Sequence, residues 1–156
     1  MKQAFLVEGS ETMGKTISIA NQKGGVGKTT TSVNLAASLG AAGYHILLVD
    51  IDPQGNSTSG LGVNKRDLQY STYHLLVTDT PAEEILIHTE FKNVDILPSN
   101  IELAGAEIEL VEQDNRSMRL KAGLCRLKQN YDFLLIDCPP SLGIITLNAF
   151  VASDTL

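Results

Sequence analysis

Tryptophan is absent from this 156-residue chain, and cysteine occurs only twice, at Cys125 and Cys138. Two cysteines so far apart have neither the density of a disulfide scaffold nor the paired spacing of a metal site. A reducing compartment and two small buried hydrophobes are expected. Long apolar runs are missing as well. The opening MKQAFLVEGSE carries one lysine and an apolar stretch of only Ala4 to Val7, too short for a signal-peptide core, and no later run reaches membrane-spanning length. A cytoplasmic protein without membrane contact is expected. Positive charge is not in excess either: the net charge is −6, so the chain as a whole carries no electrostatic footprint for nucleic acid. Internal repeats and low-complexity tracts are lacking.

What is present is ordinary globular composition, 43% hydrophobic and 19% charged, enough for one domain with a proper core. Four runs are almost continuously apolar: TISIAN (16–21), HILLVD (45–50), VDILPS (94–99) and DFLLIDC (132–138). Strands buried on both faces lose period-two alternation, so these runs read as a parallel sheet covered by helices on each side. From Lys28, KTTTSVNLAASLGAAG has helical spacing, with Gly43 as its stop. TPAEEILIH reads as a short helix with Thr80 as N-cap, Pro81 at the first helical position and Glu83 and Glu84 in the first turn. IELAGAEIELVEQ and SMRLKAGLCRLKQN read as two more helices. The second places Leu120, Leu124 and Leu127 on one stripe, with Arg116, Arg119, Lys121, Arg126 and Lys128 as a solvated surface around it. Strands alternating with helices predict an α/β fold, a doubly wound layer with right-handed crossovers.

Two segments compete as a phosphate-binding loop. GSETMGKT, Gly9 to Thr16, satisfies the pattern G-x-x-x-x-G-K-[ST], but the strand-like ISIANQ follows it. No helix can open at Lys15, so this match lacks the dipole an anion needs and is read as chance. QKGGVGKTT, Gln22 to Thr30, fails the pattern at its first letter yet has the right context: a buried strand before it and a helix opening at Lys28. Here Gly24, Gly25 and Gly27, with Val26 between them, would let backbone N–H groups crowd an anion. Lys28 would reach the β- and γ-phosphates, and the Thr29 hydroxyl, followed by Thr30, would bind Mg²⁺. A lysine at the positive end of a helix dipole is unfavourable unless an anion lies between them, and this favours the functional reading over a plain glycine turn.

Ligands of open α/β sheets collect at the C-terminal ends of parallel strands. Asp137 ends DFLLID and is assigned to the Mg²⁺ shell through water. Asp50 and Asp52 follow another apolar run; being two apart, they face the same side of an extended chain, and either could orient a water in line with a γ-phosphate. Lys23 precedes the glycines, where folding back on its own phosphates is difficult. Reaching a nucleotide in a facing subunit is its sharper reading, a solvent-exposed loop lysine its plainer one.

ANQKGGVGKTTTSVNLAASL, ILLVDIDPQGNSTSGLG, ILPSNIELAGAEIELV and YDFLLIDCPPSLGIITLNA, taken in order, closely resemble the ParA/Soj partitioning ATPases, a MinD-like branch of the P-loop proteins with a deviant Walker motif. The resemblance runs from about Met13 to the last residue. It implies a P-loop NTPase-type parallel sheet with helices on both faces, over residues 14–156, preceded by an N-terminal extension, residues 1–13. It also implies that Lys23 contacts the partner subunit's ATP in a sandwich dimer and that Asp52, rather than Asp50, positions the water. Lys23, Lys28 and Asp52 are then the catalytic set, with Gly24 to Thr30 as the nucleotide loop and Thr29 and Asp137 at the metal. Asp52 to Asn56 resemble switch I, and Asp137 to Gly143 switch II. The implied cofactors are ATP or ADP with Mg²⁺. The implied partners are a second copy of the chain, a ParB-type protein and DNA bound without sequence preference, in a cytoplasmic, nucleoid-associated protein. The resemblance further implies a sheet whose later strands, adenine pocket and DNA contacts lie beyond Leu156, leaving the loop-bearing strand at an exposed edge. Two alternatives stand beside slow ATP hydrolysis in chromosome or plasmid partitioning: a nucleotide-dependent dimerising scaffold, and a MinD-like membrane-associated regulator.

Overall fold

The computed structural model describes residues 13–156. The expected extension, save Met13, and the Gly9–Thr12 part of the pattern-matching loop lie outside the described residues. The rest of that loop runs into the first strand, β1 (Lys15–Ile19), so no helix opens at Lys15.

After β1 come α1 (Lys28–Ala41), β2 (Ile46–Asp50) and α2 (Asn56–Gly60), then α3 (Thr72–Val77), α4 (Ala82–Ile85) and β3 (Ile87–His88). The chain continues through β4 (Val94–Leu97), α5 (Ala106–Glu109), α6 (Arg119–Leu124), β5 (Phe133–Asp137) and α7 (Ile144–Ala152). The sheet order is β1-β5-β2-β4-β3. β1, β5, β2 and β4 are parallel, with Ile19 and Asp50 both in register with Asp137, so the C-terminal ends of three strands meet at one level.

β2 shows why its run lacks alternation. Ile46 to Val49 are all fully buried, but they divide between two cores. Leu47 and Val49 join Leu134, Ile136 and Leu97 under α3, α5, α6 and α7, whereas Ile46 and Leu48 join Ala36, Ile96 and Leu135 under α1. Each buried leucine contributes about 1.5–3 kcal/mol, so the central strands anchor both layers. Gly40 lets α1 approach closely: a Cβ there would lie 2.3 Å from the Lys92 carbonyl oxygen.

Several expectations are corrected. TPAEEILIH is helical only over α4; Leu86 turns extended, and Ile87–His88 pair antiparallel with Ile96 and Asp95. The residue before α4 is Pro81, not Thr80, because a residue preceding proline is pushed out of the helical region. IELAGAEIELVEQ begins as a 3₁₀ turn over Ile101–Gly105, capped by Asn100 accepting from the Glu102 amide, before widening into α5. The leucine stripe of α6 is buried as expected. Its cations are not all solvated: Arg119 pairs with Asp79 at 2.6 Å and Lys128 with Asp154 at 2.7 Å. Cys138 is buried, its thiol pushed up to about 12 chiefly by burial, but Cys125 is exposed.

The edge beyond β1 is partly covered. The Thr16 amide donates to the Asp154 carboxylate at 2.8 Å, and the Ser18 amide to the Thr155 carbonyl at 3.1 Å. The segment after α7 thus lies along the strand expected to be bare and satisfies part of its ladder.

Candidate functional site

The loop between β1 and α1 turns through two left-handed glycines, Gly25 at φ +70° and Gly27 at φ +87°. A Cβ at either would meet nothing within 4 Å, so glycine is required there by backbone conformation and not by crowding. Gly27 is the N-cap of α1 and supplies no side-chain cap, and the first turn holds no acidic residue. A 14-residue helix therefore presents its positive end and its first amides to the loop without a side-chain cap or first-turn acid to balance them. Lys28 stands at this end, with its Nζ 3.4 Å from the Lys23 carbonyl oxygen.

In front of these amides lies a cleft of about 430 Å³. Gly24, Gly25, Gly27, Lys28, Thr29 and Thr30 line it together with Asp52, Gln54, Asn56 and Pro140. Other clefts of similar size exist, such as one beside α7, but only this one brings Lys28 and Asp52 to the glycine turn at the start of α1.

Asp137 ends β5 and is almost wholly buried. Its Oδ2 accepts from the Thr29 hydroxyl at 2.9 Å and from the Ser57 hydroxyl at 2.7 Å, while Oδ1 accepts from Ser32 at 3.0 Å. Burial raises its pKa, and the three hydroxyls act in the opposite direction. Thr29 and Asp137 are hard oxygen donors, which suits a magnesium ion. No cluster of three or more His, Cys, Asp or Glu ligands occurs among the described residues.

Asp50 and Asp52 separate. β2 ends at Asp50, so the two are not on one extended segment. Asp50 is fully buried and accepts from the Thr58 amide at 2.8 Å, the Thr58 hydroxyl at 2.7 Å and the Asp52 amide at 3.1 Å. Its pKa is pushed up to about 7, first by burial, with Asp137 adding to the rise and Thr58 opposing it. Asp52, 9% exposed, faces the cleft and accepts from the Gln54 amide at 2.9 Å. Asp50 is an internal anchor, and Asp52 is the carboxylate available to the cleft.

Lys23 is exposed beside the loop; its amide donates to Asn21 Oδ1 at 2.9 Å, and it does not line the cleft. Val26 is also exposed and does not line the cleft. The sequence reading passed over Ser32 and Ser57. Ser32 could have been found, because it lies one helical turn after Thr29 on the same face. Ser57 carried no such periodic signal.

No helix among the described residues is long and apolar enough to cross a membrane. Residues 14–156 match the protein family described as an AAA domain. The sporulation initiation inhibitor protein Soj of Bacillus subtilis is 58% identical over 144 residues, covering 92% of this chain and 57% of that protein. The chromosome partitioning protein ParA of Myxococcus xanthus is 51% identical over 148 residues, covering 95% of this chain and 52% of that protein. The chain thus spans about half the length of the curated relatives it matches. Among solved structures, a Mycobacterium smegmatis protein named as cobyrinic acid a,c-diamide synthase, with bound ADP and magnesium, superposes with TM-score 0.87 at 42% identity. That match covers 90% of this chain and 57% of the other.

Proposed function

The chain belongs to the AAA-domain family and is homologous over most of its length to the Soj and ParA partitioning proteins; from that membership we propose that it binds ATP with Mg²⁺ and hydrolyses it slowly. We take the nucleotide state to switch a dimer that serves chromosome or plasmid partitioning, with a ParB-type protein and non-specific DNA as partners of the whole protein. The observation that carries the reading is the amide-lined N-terminus of α1, facing a cleft that also holds Lys28, Thr29 and Asp52.

The roles follow from position. Amides from Gly24 to Thr30 cradle the phosphate chain, and the α1 dipole favours its charge. Lys28 neutralises the β- and γ-oxygens as a point charge. Thr29 and Asp137 hold the cation, which when bound offsets phosphate charge. Asp52, held in place by the Gln54 amide, orients a water toward the terminal phosphate. Lys23 projects outward, consistent with service to a nucleotide held by a second copy.

Sedimentation of the chain with Mg²⁺ and either ATP or ADP tests the switch. A dimer with ATP and a monomer with ADP is expected; one and the same state with both nucleotides contradicts it.

A further inference from the structure

Asp52 to Gly55 form a closed turn. The Gly55 amide donates to the Asp52 carbonyl at 2.8 Å, and the Gln54 amide donates to Asp52 Oδ1 at 2.9 Å. Gly55 leaves the turn in the left-handed region, at φ +60°, and caps α2. The carboxylate that faces the nucleotide cleft is therefore placed by the peptide units of its own turn.

One of these units is gripped from both sides. The N–H and C=O of a trans peptide point in opposite directions, so while the Gly55 N–H is spent on Asp52, the Gln54 carbonyl faces the other way. Lys65 Nζ donates to that carbonyl at 2.6 Å. The lysine stem also crosses the glycine: a Cβ at Gly55 would lie 2.6 Å from Lys65 Cδ and 2.7 Å from the Ser99 carbonyl oxygen. Glycine at this position thus supplies the left-handed conformation and leaves room for Lys65.

Lys65 is itself firmly seated. It opens a 3₁₀ turn, Lys65–Asp67, capped by Asn64, whose Oδ1 accepts from the Arg66 amide at 3.2 Å and whose Nδ2 donates to Asp67 Oδ2 at 2.7 Å. From this base the half-buried side chain lies in a second cleft, of about 470 Å³, together with Pro53 and Gln54. Gln54 lines both this cleft and the nucleotide cleft, whereas Lys65 lines only the second. What the ammonium does for the reaction must therefore pass through the turn.

We propose that Lys65 is a positioning residue that holds the Gln54–Gly55 peptide from outside the turn and so fixes where Asp52 stands in the nucleotide cleft. This rests on the nucleotide reading above. A charged donor on a carbonyl is stronger than a neutral one, and here it closes the only side of the peptide that the turn leaves open. Without the ammonium the peptide is held on one side, and Asp52 spends less time where it can orient water.

Three measurements on the 156-residue chain test this: calorimetric titration of Mg·ATP, single-turnover release of inorganic phosphate, and amide hydrogen exchange at Gln54 and Gly55. Lys65→Met keeps the apolar stem and loses the donor. It should leave ATP affinity within about twofold, slow phosphate release by about five- to tenfold, and speed exchange at the two amides by a similar factor while β2 is unchanged. Lys65→Arg, which keeps a charged donor, should restore most of both. In an Asp52→Ala background, Lys65→Met should slow release no further, because both act through one carboxylate. If ATP binds and Lys65→Met releases phosphate at the wild-type rate, with or without faster exchange, the positioning role is overturned while the nucleotide reading survives. A further slowing in the Asp52→Ala background overturns it too. If the wild type takes up no ATP, the nucleotide reading fails and the role of Lys65 falls with it.

Discussion

The Thr29 hydroxyl donates to Asp137 Oδ2 at 2.9 Å, joining the first turn of α1 to the end of β5 across 108 positions of sequence. Neither partner reaches the other through local structure; the parallel register of β1 with β5 sets them at one level. Thr29→Ala removes one prospective metal donor and leaves Asp137 short of a partner. ATP affinity in the presence of Mg²⁺ is expected to fall roughly ten- to hundredfold, and affinity without Mg²⁺ to stay within about threefold. Titrations with and without Mg²⁺ check this, and equal losses in both would refute the assignment.

Asp52 and Asp50, two positions apart, make opposite predictions. Asp52→Ala leaves the core untouched, so nucleotide binding persists while phosphate release slows by about 10²-fold or more. Single-turnover release of inorganic phosphate is the measurement; an unchanged rate removes Asp52 from the chemistry.

Asp50 gives a pH signature. Folding raises its pKa from 3.8 to about 7, so the folded chain holds this proton more tightly than the unfolded one. The stabilisation from this group is complete below about pH 3.8 and is lost as pH rises through about 7. Asp137 is raised as well and acts with the same sign. Urea unfolding between about pH 5 and pH 8 should show stability declining, by an Asp50 share on the order of 1–4 kcal/mol. Asp50→Asn should flatten that decline and lower stability at the acidic end, because an amide nitrogen would face the Thr58 or Asp52 donors.

The two-sided core has its own test. Leu48 is fully buried in the α1-facing cluster, and Leu48→Ala should cost about 2–5 kcal/mol in urea unfolding without altering the denaturant slope. A loss below about 1 kcal/mol would mean that this layer collapses around the gap.

Four strands were legible because burial on both faces leaves them almost wholly apolar, and α1 because a long helix follows the glycines. β3 was not: two residues at the sheet edge carry no period, and Ile87–His88 read as the tail of a helix. α2 was hidden for the opposite reason, since its residues disfavour a helix and only the bonds of Ser57 and Thr58 to strand-end carboxylates hold it. Lys28, Thr29 and Asp52 of the cleft, and the buried Asp137 bonded to Thr29, stood out as charges and hydroxyls ending apolar runs or opening a helix. Alternation alone could not part Asp50 from Asp52, because it assumes a strand that in fact stops at Asp50.

A phosphate chain binding at the start of α1 underlies every role assigned to Lys28, Thr29, Asp52 and Asp137. Calorimetric titration of Mg·ATP into the 156-residue chain and into Lys28→Ala addresses it directly. A charged hydrogen bond contributes about 1.5–3 kcal/mol, so the wild type should bind roughly ten- to hundredfold more tightly than the variant. Equal heats and equal affinities for the two proteins, or no heat from either, would contradict it.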